Sequence, residues 1–195
     1  DIDDIVLEYT MERDKAFTGV VDKGDEKDQT IENKAGQWLN QQIREQSTPN
    51  ADKYYFRKVA NFGHCVKIKS APAKNTILEL FADAQVWFDN HLVPTDGRIA
   101  YIRASMFKFI VTSDAFFSLE KLGTKALTKG DMGELYGFRT IKVPDNYMPD
   151  NCYFLCLHKS ATERPYKISE TRIHKDARGI SGERIEGRYY FDAFV

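Results

Sequence analysis

The sequence predicts an α+β fold, and three observations carry that prediction. Apolar residues recur on a 3.6-residue period in two segments before residue 63 and again between residues 77 and 88. The segments beyond residue 98 lean instead to short runs of strand-forming residues. The resulting order, strand then helices then a strand-rich remainder, differs from the strict alternation that builds a wholly parallel sheet. A chain of 195 residues is one domain or two small subdomains, long enough to bury a core.

Taken in order, Ile5-Val-Leu-Glu-Tyr reads as a strand, and Asp22 to Asp28 as a polar turn leading into a helix from about Thr30 to Gln46. In that helix Ile31, Ala35, Trp38, Leu39 and Ile43 share one face, with Trp38 expected in a core or interface. Pro49 is expected to separate it from a second helix, roughly Ala51 to Phe62, with Tyr55, Val59 and Phe62 on one side and Gly63 as its stop. Thr76-Ile-Leu-Glu79 has the spacing of a capping box, in which the hydroxyl and the carboxylate satisfy first-turn N–H groups. The helix it opens carries Ile77, Leu80, Phe81, Ala84 and Phe88 at core spacing and stops by Val93-Pro94, because a residue before proline avoids the helical region. Arg98 to Arg103 reads as a strand and Ser105 to Thr112 as a short helix. Leu135–Val143, Cys152–Leu157, Tyr166–His174 and Arg184–Phe194 complete the strands.

Composition narrows the function classes. At 42% apolar and 29% charged this is an ordinary globular composition, with no apolar run of the roughly 20 residues needed to span a bilayer. The acidic opening Asp1-Ile-Asp-Asp is unlike a signal peptide, and the absence of an initiator Met suggests a processed or excised piece. Net charge is −1, which argues against bulk nucleic-acid binding. Residues 1–50 carry 12 acidic and 6 basic groups, whereas residues 51–195 carry 17 and 22. That asymmetry suits an acidic end meeting a neighbour's basic surface as well as it suits a solvated acidic loop. Cys152 and Cys156, four apart on an expected strand, would lie about 13 Å apart, too far for a disulfide. With Cys65 they read as reduced thiols of a cytoplasmic protein.

Chemistry-bearing patterns are sparse. His64, His91, His158 and His174 share no motif. Cys156-x-His158 offers two ligands on one strand face where zinc needs three or four, and a packed Cys with a surface His is the simpler reading. Asp22, Asp25, Glu26 and Asp28 lack the order of a calcium-binding loop and suit a solvated turn before a helix N-terminus. Asp83 and Asp89 sit about 120° apart around one helix and read as solvated charges. The sequence has no Walker loop, Gly-x-Gly-x-x-Gly, Gly-x-Ser-x-Gly or His-Glu-x-x-His. Trp87, Phe107, Phe109, Phe116 and Phe117 read as core or interface aromatics, and Gly133 and Gly137 as turn positions entering a strand.

Three stretches resemble the major capsid proteins of tailed bacteriophages, the family with the Hong Kong 97 phage fold. The first is Tyr9-Thr-Met-Glu-Arg-Asp-Lys-Ala-Phe with Asp22 and Asp25, continuing through Ala35 to Asn50-Ala-Asp-Lys-Tyr. The second is Leu92-Val-Pro-Thr-Asp-Gly-Arg-Ile-Ala-Tyr-Ile. The third is Gly133-Glu-Leu-Tyr-Gly-Phe-Arg-Thr-Ile-Lys-Val-Pro with the late Gly187-Arg-Tyr-Tyr-Phe-Asp-Ala-Phe-Val.

The resemblance implies a shell subunit that forms hexamers and pentamers around packaged DNA in a phage or prophage virion assembled in the host cytoplasm. Its partners would be identical subunits and a scaffolding protein, with DNA touched only indirectly and no membrane. It implies a peripheral part (about 1–92 with 165–195) and an axial part (about 93–164), no catalytic, cofactor-binding or metal-binding residues, no cofactor and no enzymatic activity. It also implies that the N-terminal arm and most of the extended loop lie outside this chain, which would then be truncated at both ends. The rival expectation is a small cytoplasmic, hydrolase-like enzyme using Asp83 or Asp89 with a histidine.

Overall fold

Glycines laid under aromatic rings build the first of two compact units, residues 1–55 with 164–194. The computed structural model describes residues 8–22, 35–74, 76–112, 131–175 and 178–195. Strand β1 (Arg13–Asp22) pairs antiparallel with the late strand β7 (Gly182–Phe191) along its whole length, from Arg13 opposite Phe191 to Asp22 opposite Gly182. Strand β6 (Tyr166–Lys175) flanks β7 on the other side, with a bulge between Ile168 and Glu170.

Strand β7 alternates in the manner of a half-covered sheet: Ile185, Gly187, Tyr189 and Phe191 are buried, while Arg184 and Arg188 are exposed. The covered face is packed from the helix side. A Cβ on Gly19 would lie 2.2 Å from the Trp38 ring, and one on Gly187 would lie 2.2 Å from Phe17. Only hydrogen at those positions lets the rings settle on the sheet. Trp38 is half-buried there, its ring 6.2 Å from that of Phe17.

Helix α1 (Ala35–Gln42) passes into a π-type turn (Ile43–Ser47) and on into helix α2 (Thr48–Phe62), whose residues from Phe56 onward belong to the second unit. Pro49 therefore does not separate two helices. It lacks an N–H, and in an α-helix its ring would strike the carbonyl four residues back. The wider turn just before it, in which Thr48 N–H donates to Ile43 O, accommodates the ring without ending the helix. At the far end Gly63 N–H donates to Val59 O at 2.9 Å, as the stop signal suggested. Tyr55 and Val59 are buried, but Phe62 is 69% exposed, with the Lys58 ammonium over its ring, and Phe56 is the buried aromatic instead.

The second unit, residues 56–163 with Val195, is organised by a four-stranded sheet in the order β3-β4-β2-β5. Its strands are β2 (Arg98–Arg103), β3 (Asp131–Leu135), β4 (Phe138–Val143) and β5 (Phe154–His158). Strands β2 and β4 run parallel, and the other two pairings are antiparallel. Helices α3 (Ile77–Asn90) and α4 (Ala104–Val111) share one core with the sheet: Ile77, Phe81, Ala100, Ile102, Ile110 and Phe138 are all 0% exposed. Leu78 is buried in it too, a position the helical period did not single out, and Leu80 is only half-buried. Phe81 stacks on Phe154 at 4.4 Å, and Phe88 meets Phe138 edge-on at 5.1 Å. On the other face of β2, Phe56 meets Tyr101 edge-on at 5.1 Å.

Several local expectations change here. Thr76 makes no capping bond into α3; its hydroxyl turns back, accepting from Ala73 N–H and donating to Ala73 O. The 135–143 run is a hairpin rather than one strand. Tyr136 (φ 50°) and Gly137 (φ 74°) are its two turn residues, and positive φ at both is the twist that joins neighbouring strands tightly. Gly133 (φ 70°) lies within the bulged stretch of β3, and its carbonyl accepts the hydroxyl of buried Thr140 at 3.1 Å. Cys152 lies outside β5, and all three cysteines are free thiols. Glu8 and Tyr9 are not in a strand, while Ile5 to Leu7, the turn from Lys23 to Asp28, and Phe116 and Phe117 lie outside the described residues. Among the described residues, no helix is long and apolar enough to cross a membrane.

Candidate functional site

The best-tied constellation begins where α3 stops. Val93 N–H donates to Phe88 O at 3.0 Å and Leu92 N–H to Asp89 O at 3.1 Å, the paired bonds that close a helix on a left-handed residue. Glycine usually occupies that left-handed position; here it is Leu92, at φ 55°. A side chain in that conformation costs about 1–2 kcal/mol.

Arg98 locks the same turn from β2. It shares the core-facing phase of its strand with Ala100 and Ile102, and is only 3% exposed. Its Nη1 lies 2.7 Å from Asp89 Oδ1, its Nε donates to Pro94 O at 2.9 Å, and its Nη2 donates to Val93 O at 2.5 Å. A buried guanidinium is tolerated because its donors are spent in this fork. Asp89 is therefore an ion-pair partner, half-exposed, rather than a solvated charge, while Asp83 is exposed.

A second loop is tied to the first. Lys159 N–H donates to Gly97 O at 2.9 Å, and Lys159 Nζ lies 3.2 Å from Asp96. His158 Nε2 is 2.8 Å from Asp96 O, so that nitrogen carries the proton, and Nδ1 meets the Ser160 hydroxyl at 2.6 Å. Both ring nitrogens of His158 are thus engaged. Its strand neighbour Cys156 packs against the core, where burial pushes its thiol up to about 12. Among the described residues, no group of three or more His, Cys, Asp or Glu converges to hold a metal ion.

The histidines do meet elsewhere. His64 stacks on Trp87 at 5.1 Å and His91 stacks on it at 3.9 Å, with His91 Nδ1 2.7 Å from Trp87 O. Trp87 is half-buried against the second unit's core. The first unit has an open polar groove of about 360 Å³ beside the π-type turn, lined by Lys15, Gln42, Glu45, Gln46, Asn50 and Lys53 among others. Hydrogen bonds from Gln41 and Arg44 hold the Glu45 carboxyl below its usual range, the opposite of what a general acid needs. Burial raises Asp52 despite the Coulombic pull of Arg164, which sits 2.5 Å away and holds it in an ion pair.

Two polar anchors escaped the linear reading. Asp192, 4% exposed, accepts from Glu12 N–H, Ala193 N–H and the Tyr54 hydroxyl, fastening the start of β1 and the end of β7, which lie side by side, to the helix. Asp145 accepts from Ser105 N–H at 3.0 Å and so caps α4 from a distance.

Comparison with known proteins decides the fold. No protein-family model matches the chain, and no curated protein matches it in sequence. Solved structures do. A chain from Mycobacterium phage Che8 superposes with a TM-score of 0.75 at 19% identity, over 94% of this chain and 67% of that one. The capsid structure of Cyanophage P-SCSP1u gives 0.66 at 11% identity, over 99% of this chain and 74% of that one. The asymmetric unit of the bacteriophage PhiM1 mature capsid gives 0.63 at 11% identity, over 99% and 72%. The chain has a phage capsid fold. The same architecture thus recurs in chains whose sequence identity to this one is below 20%. At such identities what persists is where chains turn and pack, not which side chains they carry.

Proposed function

We propose that the chain is a structural subunit of a bacteriophage or prophage capsid shell, self-assembling into hexamers and pentamers around packaged DNA. The observation that carries the proposal is the capsid fold itself, matched over 94–99% of the chain. In this reading the protein's product is a set of surfaces, and the buried polar groups Arg98 and Asp192 serve to hold those surfaces in shape. The partners are identical subunits and a scaffolding protein, DNA is met only indirectly, and the site of action is the virion after assembly in the host cytoplasm. No residue is assigned a catalytic, cofactor or metal role.

The first compact unit would be the peripheral part and the second the axial part. Helix α3 goes with the axial part in this proposal, because it shares a core with β2 and α4.

Sedimentation velocity on the full-length gene product, co-expressed with a scaffolding protein encoded beside it, tests the reading. Fast-sedimenting closed particles are expected. Slow, uniform species at every salt and protein concentration would count against it and return attention to a hydrolase activity.

A further inference from the structure

We propose that Leu92 is an assembly knob, a side chain held out of the subunit to be buried by a second copy of this chain; the inference rests on the capsid reading above. Exposure alone would not support it, since single apolar residues are common on protein surfaces. The support is the coincidence of exposure with an unfavourable backbone. Leu92 is 90% exposed and has φ 55°. Among the described residues, two other non-glycine residues have positive φ, Tyr136 and Asn151. Tyr136 packs against the core, and asparagine tolerates that conformation through its short polar side chain. Leu92, apolar and exposed, has neither compensation among the described residues.

Its position is also rigid. The two helix-closing bonds fix the backbone on either side, and Arg98 holds Asp89, Val93 O and Pro94 O together around it. Val93 packs inward against the core as Leu92 points out. The neighbouring loop is fastened through His158 and Lys159 to Asp96 and Gly97. A mobile apolar tip would lose conformational freedom on docking, whereas one already held in place loses little. Glycine in this position would relieve the backbone and improve the subunit in isolation. A backbone outlier that worsens the fold points to a use of its side chain outside the fold. In a shell made of one repeated chain, the surface that meets it belongs to another copy.

The test uses the full-length protein with its scaffolding partner and four forms: wild type, Leu92→Gly, Leu92→Asn and Leu92→Met. Two readouts are taken, the melting temperature of the unassembled subunit and the protein concentration needed for assembly. Leu92→Gly and Leu92→Asn should melt higher, by about 2–4 °C for glycine. Both should need about tenfold more protein to assemble, the scale set by losing one buried leucine. Leu92→Met should assemble as wild type does. A lower melting temperature for glycine would overturn the proposal by showing that the side chain packs within its own subunit. Wild-type assembly by the glycine and asparagine forms would overturn it while leaving the capsid reading intact. Failure of the wild type itself to assemble would overturn that reading and this inference with it.

Discussion

Six described side chains in the second unit are 0% exposed, spread over two helices and two strands, whereas in the first unit only Ile185 reaches that figure. The second unit is held by volume: Ile77, Phe81, Ile102, Ile110 and Phe138 fill one interior between helix and sheet. The first is held by a long strand ladder with aromatic rings resting on one face. Its edge strand β6 keeps Ile168 and Ile173 each 43% exposed. One unit therefore depends on jigsaw packing, and the other on register and on close approaches over glycine. The contrast predicts different sensitivities to mutation, which can be ranked.

The largest effect should come from Phe138→Ala. Emptying a fully buried aromatic site should cost about 3–5 kcal/mol, read as the shift of a denaturation midpoint. Next is Arg98→Met, which keeps the volume but leaves the carbonyls of Val93 and Pro94 without their donor; about 2–4 kcal/mol is expected, because a removed partner exposes the cost of the groups it satisfied. A loss below 1 kcal/mol would show that water replaces the fork freely. In the first unit, Gly187→Val should cost about 1–3 kcal/mol by driving the Phe17 ring off the sheet. Near-ultraviolet circular dichroism should report the displaced ring, and an unchanged spectrum would mean the sheet yields instead.

These sites also mark how much was legible in the sequence. Ile77, Phe81 and Phe88 declared their helix because its buried face repeats on the helical period, and the short apolar run Ile99-Ala-Tyr-Ile between two arginines declared a strand. Pro49 misled because its usual effect is to break a helix, and the π-type turn that accommodates it has no sequence signature. Thr76 has the capping-box spacing, but the nearer Ala73 backbone competes for its hydroxyl. The roles of Arg98, Asp145 and Asp192 rest on partners distant in sequence or on a chain reversal, which linear spacing does not encode. The capsid resemblance was readable because it rests on the order of turns, glycines and apolar runs, the property that survives when side chains diverge.

The smallest predicted effect is electrostatic. Arg188, bonded to Asp14 across the β1–β7 pair, holds that carboxyl below its usual range. A carboxyl lowered in the folded state contributes stability above its ordinary titration range and loses that contribution as pH falls through its lowered value. Arg188→Gln should therefore remove a small part of the stability lost on acidification below about pH 4, and added salt should shrink the difference. Melting curves for the two proteins that stay parallel from neutral to acid pH would show the pair to be inert.

The central claim, that this fold exists to build a shell, is tested most directly by negative-stain electron microscopy of the full-length gene product expressed with its scaffolding partner. Closed shells, or hexameric and pentameric rings, are the expected result. Small uniform particles with no ordered assembly across salt and concentration would contradict the account.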